Sequence, residues 1–474
     1  MCSSHQGRLR QQVHVLRRQV LQEGRLPLSD VLSTALVTQV LEQIGLVWKD
    51  RIFTPVVTLW VFLSQVFCAD HSCRAAVARL IAHRTSQGEP ACSARTGAYC
   101  QARKRLPERF FFAVACLVGR ILNAKADPRW LWHGRRVYLF DGTTVSMPDT
   151  PENQAVYPQV YNQQTGIGFP IARFGAIISL ACGAISNFGV CQYAGKGQGE
   201  VTLLRRLWHV LSPGDILLAD RLMANWTNIL LLKERGIEFV SRLNKANRIA
   251  DFRRGQRLGP EDHVVRWAKP SSIRSLDRQT YEVLPDFITV REARIRVTQP
   301  GFRTKSIVVV TTLLDPQQTS KSDLAELYRA RWNNEVDLRC LKSTLQMHQL
   351  RCKTPELVRG EIAMHVLASN LIRTIMAQAA ATHDLLPRTI SFKGAIQTLV
   401  AFQPALELSA TRGTLHRQEL HRHLLDAIAT HRVADRPDRF EPRVKKHRRR
   451  NHYGWLMRPR ADVKRGMAKG LIKI

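Results

Sequence analysis

The chain is poor in acid. Of its 474 residues, 38 are Asp or Glu against 71 Lys or Arg, a formal net charge of +33. So basic a chain is drawn to polyanions, and nucleic acid leads, because neutralising phosphates supplies most non-specific affinity. No two of the ten cysteines form a C-x-x-C pair, so zinc-ribbon spacing is missing. Cys68, His71 and Cys73 leave a weak metal hint, with ordinary buried thiols the favoured reading. No apolar run follows the arginines of residues 1–24, so no secretory leader is expected. The most apolar early stretch, Ile52 to Ala69, is broken by Pro55, Ser64 and Gln65, and reads as a buried helix rather than a membrane span. A reducing cytoplasm and no membrane partner are expected. There is no internal repeat. The glycine-rich GKGQGE at 195–200 is not a phosphate loop, since Lys196 is followed by Gly197 rather than Ser or Thr.

What is present is enough apolar residue, 45%, for a large core, and length enough for two to four domains. Residues 1–130 read as helical. Val56, Leu59, Trp60, Leu63 and Phe67 recur at helical spacing. The segment ending in Arg103, Lys104 and Arg105 suits either DNA binding or a solvated helical face. From about 131 the pattern turns to α/β. RVYLF (136–140), 171–180, 184–193 and ILLA (216–219) read as strands, and 201–211 and 224–235 as helices. Residues 237–313 are strand-rich, with strands expected at 239–242, 280–283, 295–298 and 307–314. Lys321 to Leu345 reads as one long amphipathic helix, and 355–383 as another helix or two. A basic helical C-terminal region, 381–474, ends in a tail whose RVKKHRRR (443–450) suits a non-specific DNA clamp.

Three carboxylates fall at telling points. Asp141 ends the first strand (LFDGTT) and Asp220 ends the ILLA strand (LLADRL). Acids at the carboxyl ends of buried strands stand at the sheet rim, where ligands of α/β sheets bind, and they need a cation, a donor or water. With Glu335 taken as zero on a straight helix, Tyr328, Arg331 and Lys342 fall at about +20°, −40° and −20°, one narrow stripe. This stripe adjoins the apolar one of Leu324, Leu327, Leu338, Leu341 and Leu345. Asp337 falls on the far side, at about 200°, and with Glu326 reads as a solvated charge. Asp149, Glu152 and Asp215 read as bystanders. Two hard divalent ions about 4 Å apart, bridged by carboxylates, can clamp the attacking and leaving oxygens of a phosphodiester. Arg331 and Lys342 would hold flanking phosphates.

The spacing Y-x₂-R-x₃-E-x₆-K, carried by Tyr328, Arg331, Glu335 and Lys342, resembles the YREK signature of the insertion-sequence-four family of DDE transposases. LFDGTTVSMPDTPEN is similar to that family's first-aspartate motif, and GKGQGE followed by PGDILLADR to the approach to its second. The likeness spans roughly residues 50–375. The resemblance implies an RNase H-like catalytic core at 131–380, interrupted by a β-rich insertion at about 237–313. It implies Asp141, Asp220 and Glu335 as catalytic residues and ligands of two Mg²⁺ or Mn²⁺ ions, and DNA contacts from Tyr328, Arg331 and Lys342. Arg221 is a plausible further phosphate contact. It also admits Trp267 as a base-holding residue, although a packing role is favoured. The implied activity is cut-and-paste transposition by a homodimer on double-stranded terminal repeats and target DNA, in a bacterial cytoplasm on the nucleoid.

Overall fold

A computed structural model describes residues 32–433 and 457–471, apart from short stretches at 49–50, 69, 162–163, 247, 274–277, 298–305 and 409–412. The expected basic clamp at 443–450 lies outside the described residues.

The described part begins with five helices: α1 (Thr34–Ile44), α2 (Pro55–Phe67), α3 (Cys73–Ser86), α4 (Gly97–Arg105) and α5 (Glu108–Ala124). Their starts follow from local chemistry. The hydroxyls of Ser33, Thr54 and Ser72 each accept the backbone N–H three residues on, and Pro55 opens α2 where a missing N–H costs nothing. These helices do not form a core of their own. Leu59, Phe62 and Phe110 share one apolar cluster with Leu139 and Ile178 of the sheet and Leu367 of a later helix.

The α/β part runs β1 (Val137–Ser146), α6 (Pro151–Val156), β2 (Ile171–Ser179), β3 (Ile185–Gln192), α7 (Glu200–Leu207), β4 (Ile216–Ala219), α8 (Trp226–Glu234) and β5 (Glu238–Arg242). There follow β6 (Gln256–Gly259), β7 (Asp262–Ala268), α9 (Arg278–Glu282), β8 (Phe287–Arg296) and β9 (Ser306–Thr311). Nine strands make one sheet in the order β3-β2-β1-β4-β5-β9-β8-β7-β6. In its first five strands β1, β2 and β3 are antiparallel and β4 and β5 run parallel to β1, the arrangement of an RNase H-like core. The strand-rich insertion is not a separate sheet: β9 pairs antiparallel with β5 and carries β8, β7 and β6 outward from it. Residues 280–283, expected as a strand, lie in and just beyond the short helix α9, where Arg278 and Glu282 form an i,i+4 ion pair.

Next come α10 (Lys321–Ala330), α11 (Trp332–Arg339) and a π-helical turn (Cys340–Thr344). The expected single helix is thus interrupted at Arg331 and underwound at its end, where Leu345 N–H bonds back to Cys340. The capping box of Ser320 and Asp323 fixes its start. The buried α12 (Pro355–Thr382) packs against α5 and the sheet; α13 (Phe392–Leu408), α14 (Thr414–Thr430) and α15 (Arg460–Ala468) complete the described chain. Among the described residues no helix is long and apolar enough to cross a membrane.

Two further features seat the sheet. At Gly119 of α5 a Cβ would lie 2.0 Å from the carbonyl oxygen of Ile185, so only glycine allows this approach. Asn370 of α12 bridges the contact: its oxygen accepts Ile185 N–H at 2.8 Å and its amide donates to Ala115 and Ile185 carbonyls at 2.9 and 3.1 Å. On the other face, Gly142, Gly175 and Gly189 are in register across β1, β2 and β3. They form a trough in which Leu203, Leu207 and Glu200 of α7 lie, a Cβ at Gly175 falling 2.7 Å from Leu203.

Candidate active site

The ladder between β1 and β4 ends at the pair Phe140–Ala219, and the next residue on each strand is an aspartate. Asp141 and Asp220 therefore stand side by side. Asp141 was expected to end its strand; instead β1 runs on to Ser146, because Thr143, Thr144 and Val145 stay paired with β2 after β4 has stopped. Asp141 ends the parallel ladder only. Leu139 belongs to the larger core and Phe140 to the smaller one on the other face. Strand alternation thus turns Asp141 to the face covered by α10 and α11, whose Leu327 and Leu338 enter that same larger core.

Those helices bring Tyr328 and Arg331 near the aspartates, and Glu335 to Arg331. Arg331, at the junction of α10 and α11, donates to Glu335 Oε1 at 3.0 Å. Its guanidinium lies 5.9 Å from the centre of the Tyr328 ring. Burial pushes the Asp141 carboxyl up to about 6; the Gly142 N–H, bonded to its Oδ1 at 2.8 Å, and Arg331 oppose this, while Glu200 and Asp220 add to it. Burial acts to lower Arg331, but Tyr328, Glu335 and Asp220 outweigh it and hold the guanidinium above its usual range. Burial also raises Tyr328, with Arg331 and Arg242 opposing and Asp220 adding. One cation thus bears on all three candidate acids.

Lys342 lies on the π turn, so the straight-helix phase expected for it does not apply: a turn of this kind advances less per residue. It is half-buried, and burial alone lowers its pKa. Arg221 follows Asp220 in a short 3₁₀ turn and is exposed.

Other expectations are corrected. Asp337 is not a solvated charge. It is buried, and accepts from Arg373 of α12 at 2.5 Å and from Arg388 at 2.7 Å, which ties α11 to the layer beneath. Helical phase located its side but not the two arginines arriving from distant sequence. Glu326 is exposed as expected. Trp267 is buried; its indole donates to Glu292 at 2.7 Å, and Arg248 lies over the ring at 5.0 Å, so it serves packing. Arg103, the first of the expected basic run, is also buried, among Phe62, Tyr99, Cys73 and Cys100, and takes no part in a free basic face.

Glu200 was missed as a neighbour of the site. It opens α7, pairs with Arg173 at 2.5 Å, and sits 3.1 Å from where a Cβ at Gly142 would be. The glycine of LFDGTT and the GE of GKGQGE were the available signal.

The donor set suits a hard divalent cation, being all carboxylate oxygen. Among the described residues no three His, Cys, Asp or Glu side chains converge closely enough to hold one ion, the Cys68–His71–Cys73 stretch included. At the candidate site a cation stands in: the guanidinium of Arg331.

An RNase H-like sheet with acids after its two central parallel strands defines a class of enzymes that process nucleic-acid strands with divalent metal. Residues 132–371 match the family described as the transposase DDE domain, and the chain belongs to that family. It is a DNA-cleaving and strand-transferring enzyme, a transposase, and its chemistry depends on divalent metal. Along 360 residues it is 25% identical to the transposase InsG for insertion sequence element IS4 of Escherichia coli K12, covering 74% of this chain and 76% of that one. A shorter likeness, 38% over 69 residues, or 15% of this chain and 19% of the other, links it to the transposase for insertion sequence element IS421 of Escherichia coli. A piggyBac transposase in a synaptic complex with hairpin DNA superimposes with a TM-score of 0.44 at 10% identity, covering 87% of this chain and 86% of that one.

Proposed function

We propose that the chain cuts and joins DNA at the ends of its own insertion sequence by cut-and-paste, with Asp141, Asp220 and Glu335 as the catalytic acids. The observation that carries this is the adjacency of Asp141 and Asp220 beyond the last β1–β4 pair, with Glu335 linked to them through Arg331. The three carboxylates would hold two Mg²⁺ or Mn²⁺ ions, which when bound stabilise charge on the attacking and leaving oxygens. Glu335 must leave Arg331 to complete that set. Tyr328, Arg331, Lys342 and exposed Arg221 would fix the phosphates of the terminal nucleotides, so that water and then the freed 3′-hydroxyl meet the phosphorus in line. Residues 1–130 and 381–474 are read as DNA-binding flanks of the catalytic region 131–380, and the insertion at 237–313 as part of the DNA-facing surface. The net charge of +33 supports a duplex spread over all of them. Two copies would pair the two ends, on the nucleoid of a bacterial cytoplasm.

The test is a strand-transfer assay on a pre-cut, labelled terminal-repeat duplex with Mg²⁺ and target DNA. Joined product is expected. Hydrolysis without any joined product would reduce the protein to a nuclease.

A further inference from the structure

We infer that Arg331 is the resident counter-ion of the metal-free site, and that it couples metal loading to DNA engagement by keeping Glu335 away from the aspartates until a DNA phosphate draws the guanidinium off. This rests on the reading of Asp141, Asp220 and Glu335 as the metal-holding acids.

Four observations converge. First, Arg331 holds Glu335 Oε1 at 3.0 Å, with the guanidinium the more buried partner and the carboxylate reaching toward the surface, where a ligand can meet it. Second, the register of β1 and β4 puts two more acids beneath it, close enough for its charge to bear on Asp141 and Asp220. A guanidinium there supplies positive charge within reach of each of the three carboxylates. Third, α11 is set off from α10 at Arg331, whose own dihedrals stay helical, and is followed by an underwound π turn at Cys340–Thr344. The π turn is a place where the end of α11 can reseat without unwinding the capped α10. Fourth, Asn334, beside Glu335 and on the buried face of α11, has neither its amide nitrogen nor its oxygen bonded, at 1% exposure. A buried amide with both ends unmet costs about 1–3 kcal/mol for each, so the present seating of α11 leaves a polar demand that another seating can answer.

Phosphate is the ligand chemistry that competes for Arg331. A phosphodiester oxygen accepts the same forked donors that a carboxylate does. When the guanidinium turns to it, Glu335 loses its partner just as the aspartates lose their neutralising charge, and all three become available to a divalent cation. Metal and DNA then bind with positive, reciprocal coupling. Without DNA the site stays neutralised and holds ions poorly.

The test measures calcium, a hard cation bound by carboxylate oxygen, by calorimetric titration and by the shift in unfolding midpoint of the full chain. Duplex DNA carrying the encoding element's terminal repeat is either present or absent. Wild-type protein should bind calcium about tenfold or more tightly with the duplex than without it. Arg331→Gln should bind calcium more tightly than wild type in the absence of DNA, and the duplex should add little. Arg331→Lys, which keeps the charge and loses the fork, should fall between them. Calcium affinity in wild type that ignores the duplex would overturn the inference, whether or not Arg331→Gln folds. So would an Arg331→Gln protein of native midpoint that binds calcium no better than wild type. If the Asp141→Asn, Asp220→Asn double variant binds calcium as wild type does, it is the assignment of the site that fails.

Discussion

Both carboxylate oxygens of Asp337 accept from a single nitrogen of Arg388, each at 2.7 Å, and Arg373 completes the buried triad at 2.5 Å. Asp337 lies two residues from Glu335 on α11, so the triad sets the seating of the proposed catalytic glutamate. Removing one member leaves buried charge unpaired. Asp337→Ala should lower stability by about 3–5 kcal/mol in urea unfolding. A loss under about 1 kcal/mol would show that the triad behaves as an exposed pair.

Substitution of the proposed acids should separate chemistry from folding. Asp141→Asn, Asp220→Asn and Glu335→Gln should each reduce metal-dependent nicking of a labelled terminal repeat by roughly three orders of magnitude or more. Midpoints of thermal unfolding and affinity for the repeat should stay near those of wild type. Chelation with EDTA should reproduce the loss. A variant that nicks at the wild-type rate removes that residue from the site.

Gly119 marks where α5 meets β3. Gly119→Ala places a methyl group against the Ile185 carbonyl, where no rotamer relieves it. The expected cost is about 1–3 kcal/mol or more, read as a lower unfolding midpoint. Gly97→Ala, whose Cβ meets nothing within 4 Å, is the control and should be close to neutral.

His365 gives the fold an acid limit. It is buried 5.7 Å from the ring of His71, and burial holds it down at about 3, with His71 adding to the depression. The unfolded chain takes up this proton near pH 6.5, and the folded chain does not until about 3. Between those values the unfolded state binds more protons, so stability is full above about 6.5 and falls as pH falls, by up to about 1.4 kcal/mol per pH unit. His71 is depressed by burial as well, so it acts in the same direction. His365→Leu should flatten the dependence of the unfolding midpoint between pH 6.5 and pH 4.5; an unchanged slope would assign the acid limit to other groups.

The sequence made the central strands and their aspartates legible because a short wholly apolar run has few alternatives to a buried strand. ILLA was read correctly to the residue, and the stripe of Tyr328, Arg331 and Glu335 followed from helical phase alone. Phase failed where the helix stops being regular. Nothing in CLKST announces a π turn, so Lys342 was placed on an ideal cylinder that the chain does not follow. Periodicity also says nothing about partners from far away in sequence. Asp337 looked solvated until Arg373 and Arg388 came to meet it, and Arg103 looked like part of a free basic face until Phe62 and Tyr99 closed around it. β6 was missed because its residues are polar and partly exposed, and β7 because its buried positions carry Asp262 and His263 beside Trp267 rather than an alternating apolar pattern; both are held as strands by their ladders.

The unbroken ladder from β9 through β5 to β4 has a mechanical consequence. A hinged accessory lobe would absorb a pull from its substrate as rotation. Here a load on the outer strands passes through the inter-strand hydrogen bonds, strand by strand, until it reaches the backbone just ahead of Asp220. Bending of a gripped duplex would therefore be felt as displacement at that carboxylate, with no joint in between to dissipate it.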